Sequence, residues 1–396
     1  MRLPGGMGEL TYCLNVHPTE SWAELRAAIE GPAAAVKARL SPDAPMAAGL
    51  RVSGAAMAEL MAPGPREELR DALARGGLRA VTVNGFPYGR FHGTRVKEDV
   101  YRPDWREPER LRYTCALADL MAELAPEGET VSLSTVPGAY APRGEGAEAE
   151  IAEAMLRAAA HCVDLHRRTG VVVALAVEPE PYCFLETTDQ AVRFFSERLL
   201  SNEAAARLAA LADLSGAEAR EALPRHLGLC WDVCHQAVEF EDQATGLAAL
   251  RAAGIPVHKL QLSAALRIPA VTPEIRRALG AYDEGTYLHQ VVSRRGDGPL
   301  RRLHDLGPAL ARGADADGEE WRVHFHVPVF MDDLGAFAST RPDLEAVLAL
   351  HREAPVSPHL EVETYTWDVL PGPLRAGPLE ESVARELDWV RGRLAA

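Results

Sequence analysis

The chain has 396 residues, 47% of them hydrophobic and 25% charged, and a formal net charge of −15 at pH 7. That composition supplies enough apolar material for a large core and fits one barrel of about 250 residues with insertions, or two domains. The acidic balance argues against nucleic acid or an anionic membrane surface as partner. With no run of eighteen apolar residues, membrane insertion is not expected.

Short apolar runs that read as buried strands alternate with helical periodicity. In chain order they are LTYCLNVH (10–17), GLRVSG (49–54), LRAVTVNG (78–85), TVSLSTVP (130–137), VVVALAVE (171–178), LGLCWDVC (227–234), VHKLQLSA (257–264) and HLEVETYTW (359–367). Ala-, Leu-, Arg- and Glu-rich helical stretches separate them, and several runs follow a glycine that suits a helix C-cap. Near-continuous apolar strands separated by helices indicate parallel β-structure covered on both faces. Eight such units predict an α/β fold of the (β/α)8 TIM-barrel type, as a single domain over residues 1–396. No GxGxxG turn follows the first strand, which weakens the doubly wound alternative. RVHFHVPVF (322–330) is a surplus strand, and LHQVVSR (288–294) is its expected hairpin partner. They lie in a long insertion between the seventh and eighth barrel strands, placed at about 267–320. The six cysteines form no CxxC pair and read as reduced core thiols. MRLPGGMGELTY at the start has no apolar h-region. Both features lead to the expectation of a cytoplasmic protein.

Carboxylates close several of these strands, where a charge is costly unless something pairs with it. Glu178 ends the fifth, and Glu180 has the same strand parity. Asp232 ends the sixth, and a turn after it would bring His235 to the same side. In the last strand Glu361 and Glu363 share a face and differ in depth by roughly 6–7 Å. The deeper Glu361 needs a Lys or Arg partner inside the barrel, which leaves Glu363 at the rim as the ligand. Carboxylates and imidazoles converging on a barrel's C-terminal rim would form a cage for a divalent cation. That donor mixture suits manganese, zinc, iron or cobalt better than calcium. His17, His258, Gln261, His324 and His326 also stand at strand positions. His324 and His326 face one side together, and His326 is the preferred ligand. The loop NGFPYGRFHGTRVKEDVYRPDW (84–105) interleaves aromatic rings with polar donors, which suits a polyhydroxylated or carboxylate-bearing small molecule. Asn84, Phe86, Tyr88, Phe91, His92, Lys97 and Trp105 are its candidates, and Trp367 is a candidate pocket wall.

Together these segments resemble the xylose-isomerase-like TIM-barrel superfamily of sugar isomerases and epimerases. Members place a Glu after strand five, an Asp and a His around strand six, a His after strand seven and a Glu after strand eight. The resemblance implies Glu178, Asp232 and Glu363 as metal ligands, Glu178 and Glu363 as the acid/base pair, and His235 as a substrate contact. More narrowly, YCLNVHPTESW, CWDVCHQAVEFED, VHKLQLSAALR, HFHVPVF and HLEVETYTWDVLP resemble the family labelled metabolite traffic protein EboE. That implies a role in making or exporting a small metabolite, with a homo-oligomer or other enzymes of the same gene cluster as partners. The strand-seven position expected to hold the metal His reads Gln261, so either His326 or His258 takes its place or the metal site is altered. The expected function is a metal-dependent isomerase or epimerase acting on a sugar- or cyclitol-like substrate. A non-catalytic carrier and a metal-dependent hydrolase or lyase on the same barrel are the alternatives.

Overall fold

Eight parallel strands alternate with helices around the chain in the computed structural model, which describes residues 1–372, 375 and 377–395. The strands are β1 (Glu9–Tyr12), β2 (Met46–Arg51), β3 (Leu78–Asn84), β4 (Thr130–Thr135), β5 (Val172–Val177), β6 (Leu227–Asp232) and β7 (Val257–Leu262). Next come β8 (Ala265–Ile268), β9 (Val291–Arg294), β10 (Arg301–Leu303), β11 (Glu320–His326), β12 (Ala338–Ser339) and β13 (His359–Val362). The parallel set runs β1-β13-β7-β6-β5-β4-β3-β2. A parallel bridge from Cys13 to Gly49 joins its two ends, which closes a (β/α)8 barrel. All eight barrel strands expected from the sequence form. The first and last stop early because the chain tightens into 3-10 turns at Leu14–Val16 and Tyr365–Asp368.

The surplus strand is β11, and β9 pairs antiparallel with it as expected. The insertion is a full five-stranded sheet in the order β10-β9-β11-β8-β12. It spans residues 265–339, wider than the expected 267–320, because β8 leaves the barrel two residues after β7 and also pairs with β11. Among the described residues all six cysteines are free, and no helix is long and apolar enough to cross a membrane.

Inside the barrel, Gln261 of β7 stands in register with Asp232 of β6 and Glu361 of β13. Glu361 finds the cationic partner its depth demands: Lys259 Nζ lies 2.5 Å from its carboxylate, and both side chains are 0% exposed. Burial alone would lower the Lys259 pKa, but the Glu361 charge outweighs it and holds the ammonium above its ordinary range. Gly49 makes room for this pair, because a Cβ there would fall on the Glu361 carboxylate.

The Lys259–Glu361 pair generates a stability prediction. Lys259→Met should cost about 3–5 kcal/mol in chemical denaturation, because it leaves a buried carboxylate uncompensated. Adding Glu361→Leu should recover most of that loss. Equal destabilisation in the single and double variants would show that packing, not charge, matters there.

Candidate functional site

Three carboxylates meet at the C-terminal mouth of the barrel. Glu178 is the first residue past β5, and its N–H donates to the Thr135 carbonyl at 3.1 Å. Glu363 is the first residue past β13, and its N–H donates to Leu262 at 3.1 Å. Asp232 ends β6 and caps the helix Val233–Val238, so the sixth strand turns sharply at the rim. Its Oδ1 accepts from the His235 N–H at 3.1 Å and from Ser263 Oγ at 2.6 Å. One oxygen from each carboxylate lies within 4.8 Å of the other two, and all three residues are buried. Asn15 and Asn84 donate to Glu363 Oε1 at 2.5 and 3.1 Å. Glu178 Oε2 and Asp232 Oδ2 have no hydrogen-bond partner among the described residues.

Imidazoles complete the cluster. His326, at the end of β11, has Nδ1 2.8 Å from the Glu363 carbonyl. A carbonyl only accepts, so Nδ1 carries the proton and Nε2 presents a lone pair. That Nε2 is buried and unpartnered, and His326 groups with Asp232 and His235 within 4.8 Å. The accessory sheet therefore delivers the imidazole that β7 does not. Gln261 takes the inward position on β7, in register with Asp232.

Burial and mutual repulsion set the electrostatics. Burial first, then the Glu363 and Asp232 charges, push the Glu178 carboxyl well above its ordinary range. Burial, Asp232 and Glu361 raise Glu363 to about 7, against an opposing pull from Lys259. Burial lowers His326 to about 4, so its ring is neutral and able to ligate. Three converging carboxylates, two of them with an oxygen unpaired among the described residues, beside an imidazole with a free lone pair could hold a divalent cation.

Glu178, Glu363 and His326 line a cavity at the barrel mouth. Phe86, Phe91, Tyr287, Leu288 and Tyr365 form much of its wall, and Asn84, Lys97, Glu180, His235 and His324 also line it. His324 and His326 share the inward face of β11, as their spacing predicts. Lys97 reaches the cavity, but its ammonium is held by Asp305 at 2.8 Å, so it braces the 84–105 loop against the insertion.

Several candidates lie elsewhere. His258 has opposite parity to Lys259 and Gln261 and points outward to the Pro224 carbonyl at 3.1 Å. The turn after β1 brings Asn15 to Glu363 and leaves His17 on the Tyr12 hydroxyl at 3.1 Å. The turn after β13 sends Tyr365 into the cavity and Trp367 to Glu386 at 3.3 Å. Tyr88 bonds Glu109 at 3.1 Å, His92 bonds Glu20 at 3.1 Å, and Trp105 bonds Thr135 at 3.2 Å. Their loop is pinned by two buried arginines. Arg51 donates to Gly89 at 2.6 Å, and Arg110 donates to Pro103 at 2.7 Å. Glu239 is buried against Arg302 at 2.6 Å.

No family model matches the chain, and no curated protein matches it. Among solved structures it is similar to the IolI protein with a bound zinc atom, at 13% identity and TM-score 0.47, covering 98% of this chain and 97% of that one. It is also similar to a xylose isomerase-like TIM barrel protein from Mycobacterium smegmatis in complex with magnesium, at 12% identity and TM-score 0.47, covering 97% and 98%. A third is the probable 3-DHS dehydratase AsbF from Bacillus anthracis, at 9% identity and TM-score 0.43, covering 96% and 97%. At such identities and scores these likenesses carry no statement about substrate or reaction.

Metal should stabilise the fold through this cluster. A divalent ion at one hundred times its dissociation constant should add about 2.7 kcal/mol. In thermal melts of chelator-treated protein, Mn²⁺, Zn²⁺ or Co²⁺ should raise the midpoint, and Asp232→Asn should remove most of that shift. An unchanged shift in Asp232→Asn would exclude this cluster as the site.

Proposed function

We propose that the chain is a divalent-metal-dependent isomerase or epimerase acting on a small polyhydroxylated metabolite. The observation that carries this reading is the set of ligand atoms on Glu178, Asp232 and His326 left unpaired among the described residues, close to Glu363 at the barrel mouth. Those four residues would hold the ion. When bound, it would polarise a carbonyl and a neighbouring hydroxyl of the substrate. Mn²⁺, Zn²⁺, Fe²⁺ and Co²⁺ all suit the ligand set.

The acid/base work falls to the protein's own carboxylates. Glu178 has an oxygen with no hydrogen-bond donor on it, and its environment favours proton uptake. It is the group suited to accept a proton from carbon. Glu363 is oriented by two asparagine amides, which places it to return a proton to carbon. Moving a proton between adjacent carbons, or from one face of a carbon to the other, needs only this pair and a substrate held between them. The aromatic walls limit water at the floor and give sugar-like rings an apolar face to pack on. The unpartnered Nε2 of His326 supports this reading over a non-catalytic carrier, since it offers an imidazole where β7 has only Gln261.

The test is carbon-bound hydrogen exchange. The metal-loaded protein, incubated in D₂O with a panel of ketoses and keto-cyclitols, should place deuterium on carbon in at least one of them. Glu178→Gln should reduce that exchange by about 10²–10⁴-fold while retaining the fold. Full exchange in Glu178→Gln would remove that residue from the mechanism.

A further inference from the structure

We propose that the substrate is uncharged and unphosphorylated, and that it carries an apolar group beside its oxygenated, reacting end. The proposal rests on the reading of the site as a metal-dependent isomerase or epimerase and names the substrate class of that same cavity. The lining residues divide by origin. The polar ones stand mostly at or just past barrel strand ends, or on β11. The apolar ones come from three connecting segments. Phe91, Val96 and Val100 belong to the 84–105 loop, Tyr287 and Leu288 to the segment before β9, and Tyr365 to the turn after β13. The Val96 and Lys97 N–H groups donate to the Thr286 carbonyl at 2.8 and 3.1 Å, which ties two of these segments together. The rings of Phe91, Tyr287 and Tyr365 pack on one another with centroids 5.0–5.6 Å apart. Tyr365 continues that surface to the His326 ring, at 4.7 Å. The apolar surface therefore begins beside a residue assigned to the ion.

Charge argues against a phosphate or carboxylate on the substrate. Among the described residues Lys97 is the one lysine or arginine that lines the cavity. Its ammonium is committed to Asp305 at 2.8 Å and to the Glu284 carbonyl at 3.3 Å. Arg51, 5.9 Å from the Phe91 ring centroid, is buried and paired with Glu20 at 2.7 Å. Arg90 and Arg95 of the 84–105 loop are exposed and do not line the cavity. An anionic group would meet three carboxylates, Glu178, Glu180 and Glu363, with only the ion at the reacting end to set against them. Of the two classes that suit the composition of the loop, polyhydroxylated and carboxylate-bearing, the geometry keeps the first. Solvation argues for the apolar group. A bare polyol would press hydroxyls against the side chains of Val96, Val100 and Leu288, which offer no hydrogen bond in exchange for water. An alkyl or aryl substituent gains there instead, by roughly 4-fold in affinity per methylene buried.

The test uses three achiral probes that share one hydroxyketone end: dihydroxyacetone, its phosphate and its mono-benzyl ether. Their dissociation constants are measured by titration calorimetry on the intact protein, with and without Mn²⁺. The benzyl ether should bind at least about 10-fold tighter than dihydroxyacetone, and the phosphate no tighter than dihydroxyacetone. Leu288→Lys, which sets an ammonium into the apolar wall, should reverse the order of phosphate and ether. Tighter binding of the phosphate than of the ether by the wild type would overturn the proposal, as would equal binding of all three or of none. The wild-type order decides the matter even if Leu288→Lys does not fold, and an unchanged order in a folded Leu288→Lys would also overturn it. Preference for the ether irrespective of Mn²⁺, together with no deuterium exchange on any ketose, would keep the substrate class and overturn the metal-dependent reaction.

Discussion

Repulsion among Glu178, Asp232 and Glu363 is the constraint around which the barrel mouth is organised. Three carboxylates within 4.8 Å, removed from water, cannot all be ionised without a neutralising charge. Lys259, the ammonium buried in the barrel near them, is already committed to Glu361 one layer below. The protein's own hydrogen bonds satisfy only part of the demand: Asn15 and Asn84 serve Glu363, and Ser263 serves Asp232. What remains is a set of oriented, unpaired lone pairs that proton uptake or a small cation would relieve. A fold would not keep so costly an arrangement for stability, since apolar side chains would fill the same volume more favourably.

The barrel and the accessory sheet divide the labour. Parallel strands supply carboxylates because their C-terminal ends open on one rim. The antiparallel sheet supplies imidazoles, because β11 ends over that rim with two histidines on its inward face. Glu363 links the two parts: its side chain belongs to the carboxylate cluster, and its carbonyl fixes the tautomer of His326. The insertion is thus part of the site. It also contacts the 84–105 loop, through the Lys97–Asp305 ion pair.

Much of this was legible in the sequence, and the limits have physical causes. Strand parity and strand-end position were enough to place Glu178, Asp232 and Glu363, and to demand a partner for Glu361. Parity also separates His258 from Gln261 once the inward face of β7 is known. What parity cannot foresee is where a strand stops. Two 3-10 turns, after β1 and β13, exchanged His17 for Asn15 and Trp367 for Tyr365 at the cavity. The choice of His326 over His258 depended on long-range register between β11 and its neighbours, which local pattern does not encode. Tyr88, His92 and Lys97 had the right chemistry for a pocket, but each is engaged by a partner distant in sequence.

The most direct measurement is a crystal structure of the metal-loaded protein with data collected at the metal's absorption edge. The account predicts an anomalous peak bonded to Glu178, Asp232, Glu363 and His326 Nε2 at about 2.0–2.3 Å. Carboxylates sharing protons with one another, with no peak among them at saturating metal, would contradict it.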